Sequence, residues 1–567
     1  MSAHAQLGAA STVAQATVAF HHDVPARMRD GVVLRANVYR PVGLGTWPTL
    51  VARTPYGKDL PGASSWLDPV RAARDGFMVV VQDTRGRFAS DGEWEPFQFE
   101  GDDGYDTVEW AARLPGSNGR VGMFGLSYWG NTQWLAALAQ PPSLFAIAPG
   151  MTWSEPNDGG FARGGALELG LTLVWALEQG IDHLQRRAEP RHEICRRVNA
   201  LTDELDGLAE GGFWELPVND LPLLRRHQVP ELGSIRALSD PTFASPCRVA
   251  GSHDQVQVPV FGIGGWHDGF LQGVIDNHAA MTALGRDSRL VIGPWSHANH
   301  SDVVGGLSFG LQARKDGGPA GGPGDVDERQ LAWFRGQLTP EAEPERSNAP
   351  VRFFVMGANR WREVSSWPPG GTDQRWYLRS GGRLTRTNPE PDEARSDFTY
   401  DPADPVPTVG GQTLISPGWA AGPVDQAEVE GRHDVLVFSS APLGRDLEVT
   451  GRVRVVLYAE SSATSTDWVA RLCDVHPDGR SFNLCDGILR VRDGARECRR
   501  YELDLWSTSN VFRRHHRLRV QVTSSCFPRW DRNLGTGNQR AANHQVAHQR
   551  IHHDAVHRSW VELPVVD

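Results

Sequence analysis

Short apolar runs that recur between helical stretches constrain this chain more than any other feature. They lie at residues 49–53, 77–82, 121–125, 145–148, 258–263 and 290–292. Several carry Val and Ile at successive positions, so they are built to be covered on both faces, as strands of a parallel sheet are. The text between them, such as residues 106–114 and 129–139, reads as helix. Strand and helix alternating in this way predict the α/β class with a mostly parallel sheet. Ahead of them, residues 24–41 alternate apolar and polar positions around Arg29-Asp30-Gly31, which predicts a β-hairpin.

Two other zones follow. Residues 152–246 turn helical, with apolar positions three and four apart at 166–180 and 193–208, and read as an insertion between strands. From residue 349 to 567 short strands (351–356, 435–438, 453–459, 518–523) are spaced by Pro, Gly and Asp turns, the pattern of a β-sandwich or jelly roll. The expected boundaries are therefore 1–151 and 247–348 for a split α/β domain, 152–246 for the insertion and 349–567 for the β domain. A length of 567 residues accommodates that number of domains at about 150 residues each. The Gly/Pro text at 315–326 is expected as a surface loop.

Composition narrows the function. With 57 Lys+Arg against 68 Asp+Glu the net charge is −11, which argues against a nucleic-acid partner. Cys195, Cys247, Cys473, Cys485, Cys498 and Cys526 form no C-x-x-C pair and are expected mostly as reduced, buried thiols. Residues 3–18 lack a cationic segment followed by an apolar one, and no run of 18 apolar residues occurs. A cytoplasmic protein with no membrane association is expected. Twenty Trp against eight Tyr is the unusual ratio. Indoles can fill a β core or line a pocket.

A nucleophile elbow needs a buried strand, a sharp turn with small neighbours and a following helix. The literal G-x-S-x-G, Gly306-Leu307-Ser308-Phe309-Gly310, follows polar text and lacks the strand. Gly125-Leu126-Ser127-Tyr128-Trp129-Gly130 has its second glycine one place late, yet it sits between an apolar run and helical text, so Ser127 is the expected nucleophile. The acid and base should follow in the order Ser, Asp/Glu, His, at the carboxyl ends of later strands. The run 258–263 leads to Asp268 and the run 290–292 to His297. His267 and His300 are the neighbouring competitors. Trp129, Trp266 and Trp295 each stand within two residues of one of these groups.

At these residues the chain resembles the cocaine esterase family, which also contains X-prolyl dipeptidyl peptidases and α-amino-acid ester hydrolases. The resemblance is carried by G-x-S-Y-x-G at 125–130, G-G-W-x-D-G-F at 264–270 and G-P-W-S-H at 293–297. It is carried as well by Thr54-Pro55-Tyr56-Gly57-Lys58, QDTRGRFASDG at 82–92, Val475-His476-Pro477-Asp478-Gly479-Arg480 and the segment 531–537. It implies an α/β-hydrolase domain split by a helical cap and followed by a jelly roll. It also implies an oxyanion hole formed by the Tyr56 hydroxyl and the Tyr128 backbone N–H. The chemistry implied is acyl transfer through an acyl-serine, which needs no metal or organic cofactor.

The resemblance places Trp175 and Phe270, with Phe161, around the acyl group, which implies an apolar or aromatic ester as the small-molecule substrate. Amino-ester hydrolases of the family carry acidic residues just past the catalytic Asp. Here Gly269, Phe270 and Leu271 follow Asp268, and only cap residues such as Glu155, Asp158 or Glu168 could supply a carboxylate. An X-prolyl dipeptidyl peptidase, an α-amino-acid ester hydrolase or an amide-cleaving acylase is the alternative enzyme. A binding protein with an idle hydrolase domain is the non-enzyme alternative. His544, His548, His552, His553 and His557 invite a metal reading, but on a strand an i, i+4 pair is about 13 Å apart, so no metal site is expected there.

Overall fold

The computed structural model describes residues 17–566, apart from 241–242, 319–321, 323–324, 341–348, 416–417 and 539–541. The N-terminal segment 3–18 thus lies almost wholly outside the described residues. The predicted hairpin is β1 (Val18–Arg27) and β2 (Val33–Pro41), antiparallel, with a bulge between His21 and Val24. The parallel strands are β3 (Trp47–Thr54), β4 (Met78–Asp83), β5 (Ser117–Leu126) and β6 (Leu144–Gly150). In the cap, β7 (Ala162–Arg163) and β8 (Ala166–Leu167) form a two-stranded ribbon. The main sheet resumes with β9 (Val260–His267) and β10 (Ser288–Ser296), and β11 (Val303–Val304) with β12 (Leu307–Ser308) makes a second small ribbon. Last come β13 (Val351–Val355) and β14 (Arg360–Val364).

Ten of these strands form one sheet in the order β1-β2-β4-β3-β5-β6-β9-β10-β13-β14, parallel from β4 through β13. Every residue of β4 and β9 is buried, the outcome of covering both faces. From β3 the chain steps outward to β4 and then returns to lay β5 on the other flank of β3. The carboxyl ends of β3 and β5 therefore flank a reversal of strand order, the place where open α/β sheets leave a crevice.

In the insertion, the helix Leu169–Gln185 is apolar and buried over most of its length, while Arg191–Asp206 buries only Leu201. The C-terminal part is an eleven-stranded β arrangement whose long strands Leu447–Ser461, Thr466–Val475, Ser481–Val491 and Arg499–Phe512 enclose a separate core that includes Val453, Leu457, Trp468, Leu472, Leu503 and Val520. The cap is tied to it by buried polar contacts. Trp530 Nε1 donates to Glu168 (2.8 Å), the Leu167 N–H donates to Asp531 (2.7 Å), and the Arg163 guanidinium lies 3.7 Å from the centre of the Trp506 ring. This is the structural work of the segment that begins at Asp531.

Two expectations are corrected. Residues 351–356, read as the first strand of the β domain, instead form β13, which pairs in parallel with β10 (Leu290 opposite Val351) and carries β14 at the sheet edge. All five residues of β13 are buried, and a strand so written fits the interior of either sheet. The α/β sheet thus continues to Val364. Lys315, read as part of a surface loop, is buried. Its ammonium donates to the Trp66 carbonyl, pairs with Asp327 and sits 4.3 Å from the Trp66 ring centre, because a cation lodged between core helices is tolerable once paired. Part of that loop, 319–321 and 323–324, lies outside the described residues.

Cys247, Cys473, Cys485 and Cys526 are buried, whereas Cys195 is exposed and Cys498 partly so. Among the described residues no helix is long and apolar enough to cross a membrane.

Candidate active site

Ser127 stands between β5 and the helix Tyr128–Leu138 with φ 59° and ψ −124°. A non-glycine residue is held there only when its surroundings enforce it. They do: the Ser127 N–H donates to the Gly150 carbonyl at the end of β6, and the Ser127 carbonyl accepts from Asn131. The two glycines of the motif have steric reasons. A Cβ on Gly125 would stand 2.7 Å from the Trp129 Cβ, and one on Gly130 would stand 2.7 Å from the Gly150 carbonyl oxygen. The close approach to β6 falls at residue 130, which is where this chain needs its second glycine.

Asp268 follows β9 and is fully buried; His297 follows β10. The His297 Nδ1–H donates to Asp268 Oδ1 at 2.7 Å, while Asp268 Oδ2 has no hydrogen-bond partner among the described residues. That bond leaves Nε2 as the basic nitrogen of a neutral imidazole. Phe270 closes one side, its ring edge-on to His297 at 5.3 Å. The competitors stand apart from this arrangement. Burial pushes both His267 and His300 down to about 3, so both stay neutral. His267 faces Phe309, and His300 packs edge-on against Trp66. Ser308 is exposed on the β11–β12 ribbon, with no buried strand behind it.

Tyr56 follows β3, beside β5 at the strand-order reversal. Its hydroxyl accepts a hydrogen bond from Trp175 Nε1 at 3.1 Å. Burial raises its pKa to about 12, with hydrogen bonds to Trp175 and Ser127 acting the other way. The phenol therefore keeps its proton at any working pH and can donate it to an oxyanion. Arg87, within the 82–92 motif, braces this loop: it donates to the Pro55 carbonyl (2.8 Å) and to the carbonyl and side chain of Gln179 (3.0 and 2.9 Å) on the cap helix.

The Tyr128 side chain points the other way. Its hydroxyl donates to Glu100, which is paired with Arg53 at 2.6 Å, and accepts from the Phe97 N–H. Its N–H, in the first turn of a helix, has no carbonyl a turn earlier to bond.

Aromatic rings run continuously from this point. Tyr128 stacks on Phe97 (4.1 Å) and lies parallel to Trp175 (6.4 Å); Trp175 meets Trp94 (5.5 Å). Trp153 contacts Phe97, Phe161 and Phe270. Trp175, Phe161 and Phe270 are thus brought into one cluster. Trp94, Phe97 and Trp153 join it without any local signal that could have found them, since they lie on loops and are united only by the fold. Trp266 and Trp295 turn away, donating to the carbonyls of Phe354 and Ala313, and act as struts behind the loops that carry Asp268 and His297.

Of the cap carboxylates, Glu155 is paired with Arg248 (2.7 Å), Asp158 accepts from the Gly164 N–H, and Glu168 is held by Trp530 and Arg529. Glu178 differs. It is one turn beyond Trp175 on the same helix face and exposed to solvent, yet surrounding protein pushes its carboxyl up to about 7, and its charge reaches the Tyr56 phenol.

Residues 30–299 match the family model of the X-Pro dipeptidyl-peptidase (S15 family), and residues 346–562 match that of the X-Pro dipeptidyl-peptidase C-terminal non-catalytic domain. Cocaine esterase of Rhodococcus sp. (strain MB1 Bresler) is 36% identical over 545 residues, covering 91% of this chain and 92% of that protein. Among solved structures, an aminopeptidase from a marine sediment Thaumarchaeota archaeon superposes with a TM-score of 0.78 at 24% identity, covering 100% of this chain and 99% of its own. An alpha-amino acid ester hydrolase gives 0.75 at 24% identity, with 98% and 97% covered. These two establish a shared fold. The identity to cocaine esterase along nearly all of both chains establishes more: this chain belongs to the family of serine hydrolases that joins the S15 X-Pro dipeptidyl-peptidases with cocaine esterase.

Proposed function

We propose that the chain is a serine esterase that cleaves carboxylic esters of small molecules through an acyl-serine, with Ser127 as nucleophile, His297 as general base and acid, and Asp268 as the group that orients it. The observation that carries this reading is the 2.7 Å His297–Asp268 hydrogen bond at the ends of adjacent strands, at the same carboxyl end of the sheet as the strained Ser127 turn. In acylation Ser127 Oγ attacks the ester carbonyl as its proton passes to His297 Nε2. The Tyr56 hydroxyl and the Tyr128 N–H hold the resulting oxyanion. Collapse expels the alcohol, which takes the proton from His297, and water attacks the acyl-serine by the same route.

Removal of one oxyanion donor tests the site at one atom. Tyr56→Phe is expected to lower kcat about 10²–10³-fold with little change in KM, the effect of losing a contact made mainly in the transition state. An equal loss carried entirely in KM would remove Tyr56 from that role. For the reaction class, p-nitrophenyl acyl esters should be turned over in preference to Ala-Pro-p-nitroanilide. A clear preference for the anilide overturns the esterase reading in favour of a peptidase.

Aromatic rings around the acyl position support an apolar or aromatic acyl group. Glu178 favours a second reading, in which part of the substrate carries a positive charge, as amino-acid esters do. Of two p-nitrophenyl esters differing only in an ammonium group, the cationic one is expected to lose about 5-fold in kcat/KM in Glu178→Gln while the neutral one is unchanged, a modest factor because solvent screens an exposed carboxylate. Equal effects on both esters would take Glu178 out of substrate recognition.

A further inference from the structure

The motif Val475-His476-Pro477-Asp478-Gly479-Arg480 has no part in the chemistry above, and it lies at a junction of domains. Asp474 ends the strand Thr466–Val475 and is buried; His476 begins the turn that follows; His516 sits in the turn before the strand Arg517–Thr523, which pairs with the first. His516 Nδ1 lies 2.9 Å from Asp474 Oδ1, His476 Nε2 lies 4.0 Å from Asp474 Oδ2, and the two imidazole rings are 4.5 Å apart. One donor atom from each of the three residues lies within 4.8 Å of the others. Beside them is a cavity of about 190 Å³, closed on the far side by Leu307, Ser308 and Phe309 of the α/β domain and by the turn after β13. We propose that Asp474, His476 and His516 bind one divalent transition-metal ion, Zn²⁺ by ligand type, with its open position facing this cavity.

The donor set and spacing fit. Two imidazoles and a carboxylate are the ligands of three-protein-ligand zinc sites, in which a water completes the tetrahedron. Bonds of about 2.0–2.1 Å at tetrahedral angles put neighbouring donor atoms about 3.3 Å apart. The Asp474–His516 pair needs only to open slightly, while His476, whose 4.0 Å approach is to the second carboxylate oxygen, must move in together with a rotation of the Asp474 carboxylate. The only ion-pair partners of Asp474 among the described residues are these two histidines, while Arg513, which also lines the cavity, is spent on Asp446 and the Gly357 carbonyl.

A second, independent observation lies in the cavity itself. Asn510, 3% exposed, lines it with its Nδ2 donor buried and unpartnered among the described residues, and the Oδ1 acceptor of Asn359, in the same wall, is likewise buried and unpartnered among them. A metal-bound water can accept a hydrogen bond at its remaining lone pair and donates its protons to acceptors, and these two orphans are one donor and one acceptor. His552, Asp554 and His557 also come together, beyond the strand Ala547–Ile551 where the spacing argument for a strand no longer applies. They are partly exposed. An ion at Asp474 would pin two strand ends of the β domain where they meet the α/β domain, so its effect falls on stability rather than on ester turnover.

The test uses the full chain after chelator treatment and dialysis, titrated with Co²⁺ as a spectroscopic stand-in and with Zn²⁺ for stoichiometry. One equivalent should bind, with the visible d–d bands of an imidazole-ligated ion, and Zn²⁺ should displace it and raise Tm. His476→Gln and His516→Gln should each weaken binding more than about 10-fold, since even outer-shell changes cost that much. Both should keep wild-type turnover of a p-nitrophenyl ester, which also reports that they fold. His557→Ala should bind as wild type does. Absence of imidazole bands in the wild type overturns the proposal without recourse to variants. So does binding that survives both glutamine substitutions, or binding lost in His557→Ala.

Discussion

Ser127→Ala is expected to abolish ester hydrolysis, lowering kcat about 10⁴-fold or more, because only the oxyanion donors and substrate binding remain once the nucleophile is gone. A fluorophosphonate should label the wild type and leave Ser127→Ala unlabelled. Ser308→Ala should label and turn over as wild type does, because Ser308 lies exposed on a two-residue strand with no buried strand behind it and no elbow to strain it. The variant also keeps the fold. The Gly150 and Asn131 contacts of residue 127 are made by its backbone, and alanine tolerates φ 59° about as poorly as serine does. A wild type that resists the label, or a Ser127→Ala protein that accepts it equally, removes Ser127 as the nucleophile and with it the esterase mechanism.

The strands, the sharp turn at Ser127 and the places of Asp268 and His297 at neighbouring strand ends were legible because each is written locally: an apolar run, a small-residue turn, a polar residue just past the strand. What escaped was the pairing between distant segments. Nothing in VRFF at 351–354 says whether its neighbour will be Leu290 in the α/β sheet or a strand of the β domain, since burial on both faces suits either. Lys315 read as solvent-facing because its partners, Asp327 and the Trp66 carbonyl, meet it only in the fold. The aromatic chamber was half visible for the same reason. Trp175 and Phe270 came through resemblance, whereas Trp94, Phe97 and Trp153 are joined to them by ring contacts across three segments. Charge was harder still. Glu155, Asp158 and Glu168 were the candidates until their partners were known, and it is the absence of a partner among the described residues, together with the dense protein around it, that singles out Glu178 instead.

Asp268→Asn carries the second large expectation, a fall of about 10⁴-fold in kcat with the site otherwise intact. The wild-type carboxylate accepts the Nδ1 proton of His297, which leaves Nε2 free to take the proton of Ser127. An asparagine at this fully buried position can turn its amide N–H toward Nδ1, the imidazole then carries its proton on Nε2, and the base faces the nucleophile in the wrong tautomer. The substitution also removes a buried charge whose second oxygen lacks a partner among the described residues, so stability should hold or rise while activity collapses. Thermal melts alongside kinetics separate the two: a Tm at or above that of the wild type with a 10⁴-fold slower enzyme is the expected pair of results. Fluorophosphonate labelling should slow in parallel, because phosphonylation needs the same base. Since acid, base and nucleophile act as a unit, Asp268→Asn combined with Ser127→Ala should be no slower than Ser127→Ala alone. A well-folded Asp268→Asn protein within 10-fold of wild type would mean that another group orients His297, and the fully buried carboxylate at the end of β9 would then need a structural explanation instead.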